Sequence, residues 1–563
     1  MRRRLLVRHF LNQFIENDFS ADVDRHQILA VAAAALITIP LFATVFMSVK
    51  YLMQPLQSPG WTEITTMGDQ AVFCATSLLV SAAIATLEWD ALALNARDSM
   101  ILGVLPVPRE EIVRAKVSAL ARFAAGFVIA LNALPTLLHP PLTVANFSGN
   151  PLLLIPLVAA HAVSTGMAGA FGFACVVGLR EFLLLCLGER ALARIGGTIR
   201  SGLLFSFLVL LVLAPIQLRS STWMLDSDEA PVILEPVRWF VATHAAIAGR
   251  VLETLSTPEL PARLAIEETR LRTQFREGLG PLTVLAIRGT VVFVSVVVLS
   301  MAIYLRNARR FHLLSDGSAA DSVMGVSAVS DKIASILTSR PASQAGISFL
   351  VRTVAGSSAH RVYLSAFVAT GVALLITMAP DVWAPHASIR TSQLVAQTLM
   401  LTAVVAGFRA AIRTSADARS AWVFGIAETG GRGEYRKGVR IGVIVAMTAT
   451  VVALFPLHAA AWGVAMAAAH AIHGAALGWL LVEVACASIE RPLVWTIPPS
   501  DGLNTVGVVV LGATVIVVLV IGAIEQAALT SIAGNVAFAG TLLVSAATVR
   551  HLNERNLRSV IAG

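Results

Sequence analysis

Residues 87–116 read LEWDALALNARDSMILGVLPVPREEIVRAK, and the rest of the chain is organised around them. On either side lie two long apolar runs, Ala71–Leu87 and Val117–Leu138, of a length suited to crossing a bilayer. Asp98 and Ser99 can cap a short helix, and Met100, Ile101, Leu102 and Leu105 would give it an oily face. Pro106 and Pro108 then stop it, because proline lacks the amide proton that a helix interior needs. The expectation is a short, stiff, half-apolar helix held between two spans, suited to a groove on a partner protein. The alternative is a helix lying on the membrane surface.

Of the 563 residues, 56% are hydrophobic and only 13% charged. The mean hydropathy is +0.76. Soluble domains carry far less apolar sequence, so a polytopic, all-α integral membrane protein is expected. A net charge of +8 would suggest nucleic acid in a soluble protein. In a membrane protein, arginines that hold loops on the cytoplasmic side account for it, and nucleic acid is not expected as a partner. The four cysteines, Cys74, Cys175, Cys186 and Cys486, fall in or beside apolar runs and form no CxxC pair. They read as small buried hydrophobes.

Twelve apolar runs are spaced along the chain. They lie at about Ile28–Val49, Ala71–Leu87, Val117–Leu138, Pro151–Gly178, Ile199–Leu218 and Pro281–Leu305, then Val362–Pro380, Ser392–Ala411, Val439–His458, Ala461–Cys486, Thr505–Ile524 and Leu529–Val549. Before the first, residues 3–19 place Leu6, Phe10 and Phe14 at a four-residue spacing, as an interfacial amphipathic helix would. Because Glu16, Asp18, Asp22 and Asp24 separate the basic start from the first apolar run, the start reads as an uncleaved tail. Arginine and lysine crowd the alternate loops: Arg97, Arg109, Arg114 and Lys116; Arg180, Arg190, Arg194 and Arg200; Arg413, Arg419, Arg432, Arg436 and Lys437. The positive-inside rule then puts both termini in the cytoplasm of a multi-pass protein of a bacterial-type inner cell membrane.

The chain also reads as a duplication. Residues 1–306 hold six runs, 307–358 form a cytoplasmic linker, and 359–563 hold six more. Phe349-Leu350 and Ala359-His360-Arg361 open the second half as the tail opens the first, and the loop at 412–438 falls where 88–116 falls. Six spans per half give two parallel repeats, related by an axis along the membrane normal. Ile333, Ile336 and Leu337 of the linker suit a surface helix. The excursion at 219–280 suits two short amphipathic helices on the outer face, one carrying Val237, Phe240, Val241, His244, Ala248, Val251 and Leu255, the other Leu264, Leu271 and Phe275.

Trp89, Arg97-Asp98, Ile101-Leu102-Gly103, Leu105-Pro106-Val107 and Lys116 resemble the coupling segment of type-2 ABC exporter permeases. The resemblance implies an ABC transporter membrane subunit with two permease halves fused in one chain. It would dock two copies of a separate ATPase, which bind ATP and Mg, while this chain holds no cofactor and transports an unidentified substrate. Asp98, Ile101, Leu102, Leu105, Pro106 and Arg109 would carry docking in the first loop, with Trp422 and Phe424 in the second. The second loop lacks the Leu-Pro-Val core and has Gly430-Gly431 in its place, so weaker coupling is expected there.

A phosphate-binding loop needs Gly-Lys followed by Ser or Thr. None of the four lysines, Lys50, Lys116, Lys332 and Lys437, follows a glycine, so no ATPase domain and no enzyme activity are expected. His470 and His473 share a face of the tenth run, and helix packing is the expectation ahead of proton relay or a metal site. His161, Asn132 and Asn535 are expected to make interhelical hydrogen bonds, and Arg122, Arg409 and Glu483 to snorkel. Glu525-Gln526 reads as the whole of a short outer loop, leaving no acidic residue at mid-membrane. A secondary transporter of two six-helix halves is the alternative function. A membrane-embedded lipid-linked transferase using Glu63 and Asp69 is a more distant one.

Overall fold

A computed structural model describes residues 2–15, 44–45, 59–92, 102, 107–147, 151–218, 235–252, 262–308, 323–383, 391–413, 432–487 and 505–562. Among them the regular elements are helices: α1 (Arg2–Ile15), α2 (Pro59–Leu87), α3 (Arg109–Phe147), α4 (Leu154–Gln217, after a short 3-10 turn), α5 (Glu235–Leu252), α6 (Ala262–Ala308), α7 (Val323–Leu337), α8 (Pro341–Gly356), α9 (Ser358–Trp383), α10 (Thr391–Arg413), α11 (Arg432–Trp462), α12 (Val464–Ala487), α13 (Thr505–Ala528) and α14 (Ile532–Ala562). Ten segments of these helices are long and apolar enough to cross a membrane. This is a helical, multi-pass membrane protein. The expected first span, Ile28–Val49, lies outside the described residues apart from Thr44 and Val45. The expected eleventh coincides with α13, whose Val517–Ala528 portion is a shorter apolar helix.

The fourth and fifth runs hold as separate spans, while two other expectations of segmentation change. Helix α4 carries both as distinct candidate spans, Leu154–Leu192 and Arg194–Pro215, and it is kinked at Gly188, whose φ of 74° and ψ of 170° are not helical. Glycine alone enters positive φ without steric cost, so Gly188 lets the chain change direction within this arginine-rich stretch. The second outer-face helix is not separate. Residues 262–280 continue directly into the sixth span as α6, through Pro281. Proline is tolerated where a membrane helix can satisfy the freed carbonyl through its neighbours. The linker, finally, is a pair of helices, α7 and α8, where a single surface helix was expected.

The helices form two compact units, residues 1–196 with 210–317, and 197–209 with 318–563. In the first, α1 packs on α3. The oily spacing of the sequence is its reason: Leu6, Val7, Phe10 and Phe14 are all buried. Phe14 stacks on Phe123 with centroids 4.7 Å apart. Lys116, itself fully buried, donates to Gln13 Oε1 at 2.8 Å and lies 4.7 Å over the Phe10 ring. Helix α5 packs between α2 and α6, burying Val237, Phe240, Val241 and Ala248, the face read from the sequence. It is therefore part of the helix packing of its unit, where the sequence suggested a helix on a surface.

In the second unit α8 lies on α11. Ser343 Oγ donates to the Glu434 carbonyl at 2.9 Å, Arg340 and Lys437 pair with the Glu434 carboxylate at 2.6 and 2.7 Å, and Phe349 faces Tyr435. Backbones meet closely here because Gly346 sits against the Tyr435 carbonyl and Gly438 against that of Ser343. A core of Leu350, Leu401, Val404, Val443, Met447 and Val482 continues from this contact.

A Cβ at Gly346 would collide with the Tyr435 backbone, whereas Gly202 has open space around it. Gly346→Val should lower stability by about 1–3 kcal/mol through overpacking. Gly202→Ala should be neutral or stabilise by up to about 1 kcal/mol from helix propensity. Thermal unfolding in detergent measures both, and equal midpoints would contradict the α8–α11 contact.

Candidate functional site

Of the residues expected to dock a partner, Asp98, Ile101, Leu105, Pro106, Trp422 and Phe424 lie outside the described residues. Leu102 is 5% exposed, covered by the chain itself. Arg109 donates to the Ala308 carbonyl at 2.8 Å, tying the start of α3 to the end of α6. Beside that tie, Arg180 of α4 donates to the Trp89 carbonyl at 2.8 Å and pairs with Glu181 at 2.6 Å. Asn307 donates to both the Glu181 carbonyl and its carboxylate. Four chain segments thus meet at one end of this unit through a polar clasp, in which the buried Arg180–Glu181 pair gains the further hydrogen bonds that such a pair requires.

Further along the same helices lies a buried polar layer. Gln70 of α2 donates to Ser164 Oγ at 2.7 Å and accepts from His161 Nδ1 at 2.8 Å. Ser77 donates to the Thr165 carbonyl and accepts from Asn132, each at 2.8 Å. His139 lies 5.7 Å from the His161 ring, and Phe73 packs on both. His244 reaches this group from α5 and is buried as well. The interhelical roles expected of His161 and Asn132 are thus met.

The second unit contains a related group with different chemistry. His470 and His473 of α12 both approach Glu525 Oε1 of α13 through Nδ1, at 2.7 and 3.0 Å. His473 Nε2 lies 3.4 Å from the Asn535 carbonyl of α14. His458 of α11 stacks on Trp462 and stands edge-on to His470, with centroids 5.0 and 4.7 Å apart. Gln397 of α10 donates to the His470 carbonyl at 3.1 Å. Glu525 is 3% exposed, so it is a buried residue of α13, where the sequence placed it in a loop. The turn of the chain comes after Ala528, and helix propensity carries the carboxylate inside. Asn535 bonds through its amide to Ser531 of its own turn, and only its backbone carbonyl reaches another helix.

Glu483 departs from expectation in another way. It is fully buried, held by Trp479 Nε1 at 3.1 Å and Arg440 at 3.4 Å, with no snorkelling to an interface. Arg122 is exposed, while Arg409 approaches the Ala485 carbonyl. The four thiols are free; Cys74 is buried and Cys186 is exposed. Among the described residues no three His, Cys, Asp or Glu are placed to hold a metal ion.

The two histidine groups draw on like stretches that the sequence reading passed over. Ala159-Ala160-His161-Ala162-Val163 matches Ala468-Ala469-His470-Ala471-Ile472, and Gly169 and Gly478 each follow eight residues after the histidine. Leu138-His139 matches Leu457-His458, each shortly after a proline. What differs is the polar partner facing the central imidazole: an amide, Gln70, in one unit and a carboxylate, Glu525, in the other.

Burial pushes the His244 imidazole, on a helix outside the candidate spans, down to about 4 from an ordinary 6.5. The unfolded chain therefore binds the extra proton between those values, and stability present above pH 6.5 falls as the pH drops towards 4. Over the whole window the loss is on the order of 3 kcal/mol. His244→Leu should flatten this part of the pH dependence of the thermal midpoint, and curves of unchanged slope would contradict it.

Compared with known proteins, the chain matches no family model, no curated protein and no solved structure.

Proposed function

We propose that this chain is the membrane subunit of an ATP-driven exporter of the type-2 ABC class. It would provide the substrate path and dock separate ATPase subunits, two copies in all, at its cytoplasmic loops. One observation carries the reading: the pattern of residues 87–116, with its Ile-Leu-Gly and Leu-Pro-Val groups and closing basic residues, between the candidate spans of α2 and α3. Its first half then comprises 1–306 and its second 359–563, as parallel repeats. Two likenesses support that duplication. Helix α1 on α3 is paralleled by α8 on α11, and the His139–His161 pair by the His458–His470 pair. With the arginine-rich loops inside, both termini and α7 are cytoplasmic.

A secondary transporter is the second reading, and the buried Glu525 between two histidines favours it. The energy source separates the two. An ATPase should co-purify with the chain, and substrate should stimulate its hydrolysis, while the purified chain alone hydrolyses no ATP. Leu102 is buried, so truncating it would confound folding with docking. Ile101→Ala with Leu105→Ala is the cleaner variant. An apolar anchor in a desolvated pocket is worth about 2 kcal/mol, so ATPase affinity should fall roughly thirtyfold. Phe424→Ala, in the glycine-containing second loop, should do less. Undiminished association and hydrolysis in the double variant would remove the main support for the assignment.

Topology gives an independent check. Ser335 is exposed on α7. In a background lacking the four native cysteines, Ser335→Cys should react with a membrane-impermeant thiol reagent only from the cytoplasmic side. Labelling from outside would overturn the orientation.

A further inference from the structure

The hydrogen bonds around His473 assign more protons than an ionised carboxylate and two neutral imidazoles possess. A neutral imidazole has one N–H donor and one lone-pair acceptor. His473 faces an acceptor on each side: the Asn535 carbonyl at Nε2, and Glu525 Oε1 at Nδ1. A backbone carbonyl can only accept, so the proton on Nε2 is required there. Nδ1 and Oε1, 3.0 Å apart, must then share a further proton, whether it resides on the nitrogen or on the oxygen. His470 is 2.7 Å from the same oxygen and needs its own Nδ1–H to satisfy it.

We propose that His473 and Glu525 form a proton-binding site, holding one proton between Nδ1 and Oε1. The cluster is then electrically neutral as a whole. That suits its surroundings, because an unpaired charge would be costly at a site where Glu525, His470 and His473 are each at most 3% exposed. Among the described residues, the helices packed against it face it with no competing charge. Helix α11 offers His458, α10 offers Gln397, α14 offers the Asn535 carbonyl and the Phe538 ring, and none is a fixed charge. The first unit makes the contrast. There Gln70 turns its amide nitrogen to Ser164 and its oxygen to His161, so a neutral ring satisfies the contact and no extra proton is needed.

The site joins three helices through one proton. On release to water, the N–H or O–H bonding pair stays with the cluster. A lone pair must then face either the carboxylate or the Asn535 carbonyl, and that repulsion acts on α12 against α13 or α14. His470 Nε2 is buried with no hydrogen-bond partner and is an open acceptor within the same cluster. The inference is independent of whether ATP or an ion gradient drives transport.

The test is magnetic resonance of the full chain in proteoliposomes at pH 7.5, with nitrogen-15 in histidine rings and carbon-13 in glutamate carboxyls. The expected result is a doubly protonated ring that disappears in His473→Gln, or a protonated carboxyl that disappears in Glu525→Gln. Glu525→Asp keeps an ionisable group, and it should shift that signal while leaving the helices folded should Glu525→Gln fail to fold. An ionised Glu525 beside two singly protonated rings in the wild-type chain would overturn the proposal, as would a signal that none of the three variants alters.

Discussion

Hydrocarbon offers no hydrogen bonds, so a polar group that these helices carry among their apolar faces is costly unless its own helix or another satisfies it. The consequences run through both units. Gln70 bridges α2 to two positions on α4, Asn132 reaches Ser77 across from α3, and Asn307 closes α6 on Glu181. Apolar surface says only that a helix belongs in the membrane or the core. Polar contacts of this kind say which neighbour it has and in what register, because a slip of one residue would leave several buried groups without partners.

Small residues complement that rule. Gly172 lies against the Leu78 carbonyl, Gly289 against Trp239, and Gly346 and Gly438 bring α8 and α11 into backbone contact. In a lipid surround the hydrophobic effect does not favour one helix pair over another, and close van der Waals approach does. The polar layers and the glycine contacts together give each unit its packing.

The proposed proton site and the proposed transport function draw on the same economy. A neutral amide suffices to hold α2 to α4, whereas the second unit places a carboxylate at the comparable contact and must neutralise it locally. Glu483 is handled by direct pairing with Arg440, and Glu434 by Arg340 and Lys437. Glu525 alone among these three carboxylates is faced by imidazoles, whose charge depends on a proton.

Much was legible without coordinates. Apolar run length marked the membrane helices, because a bilayer of fixed thickness demands a fixed number of residues. The four-residue spacing of Leu6, Phe10 and Phe14 identified the buried face of α1, and that of Val237, Phe240 and Val241 the buried face of α5. Helix ends were less legible. The break expected within 179–198 is a kink at Gly188, whereas the one expected at Gly280-Pro281 is absent, because proline biases a helix end without enforcing one and α6 runs on through it. The His470–Glu525–His473 contact lay beyond sequence reasoning altogether, since 52 and 55 residues separate the partners and local pattern carries no information about which buried polar groups meet. That pairing was decided only by the packing of α12, α13 and α14, where three helices leave one protected space and a buried carboxylate has to share it with whatever donors stand there.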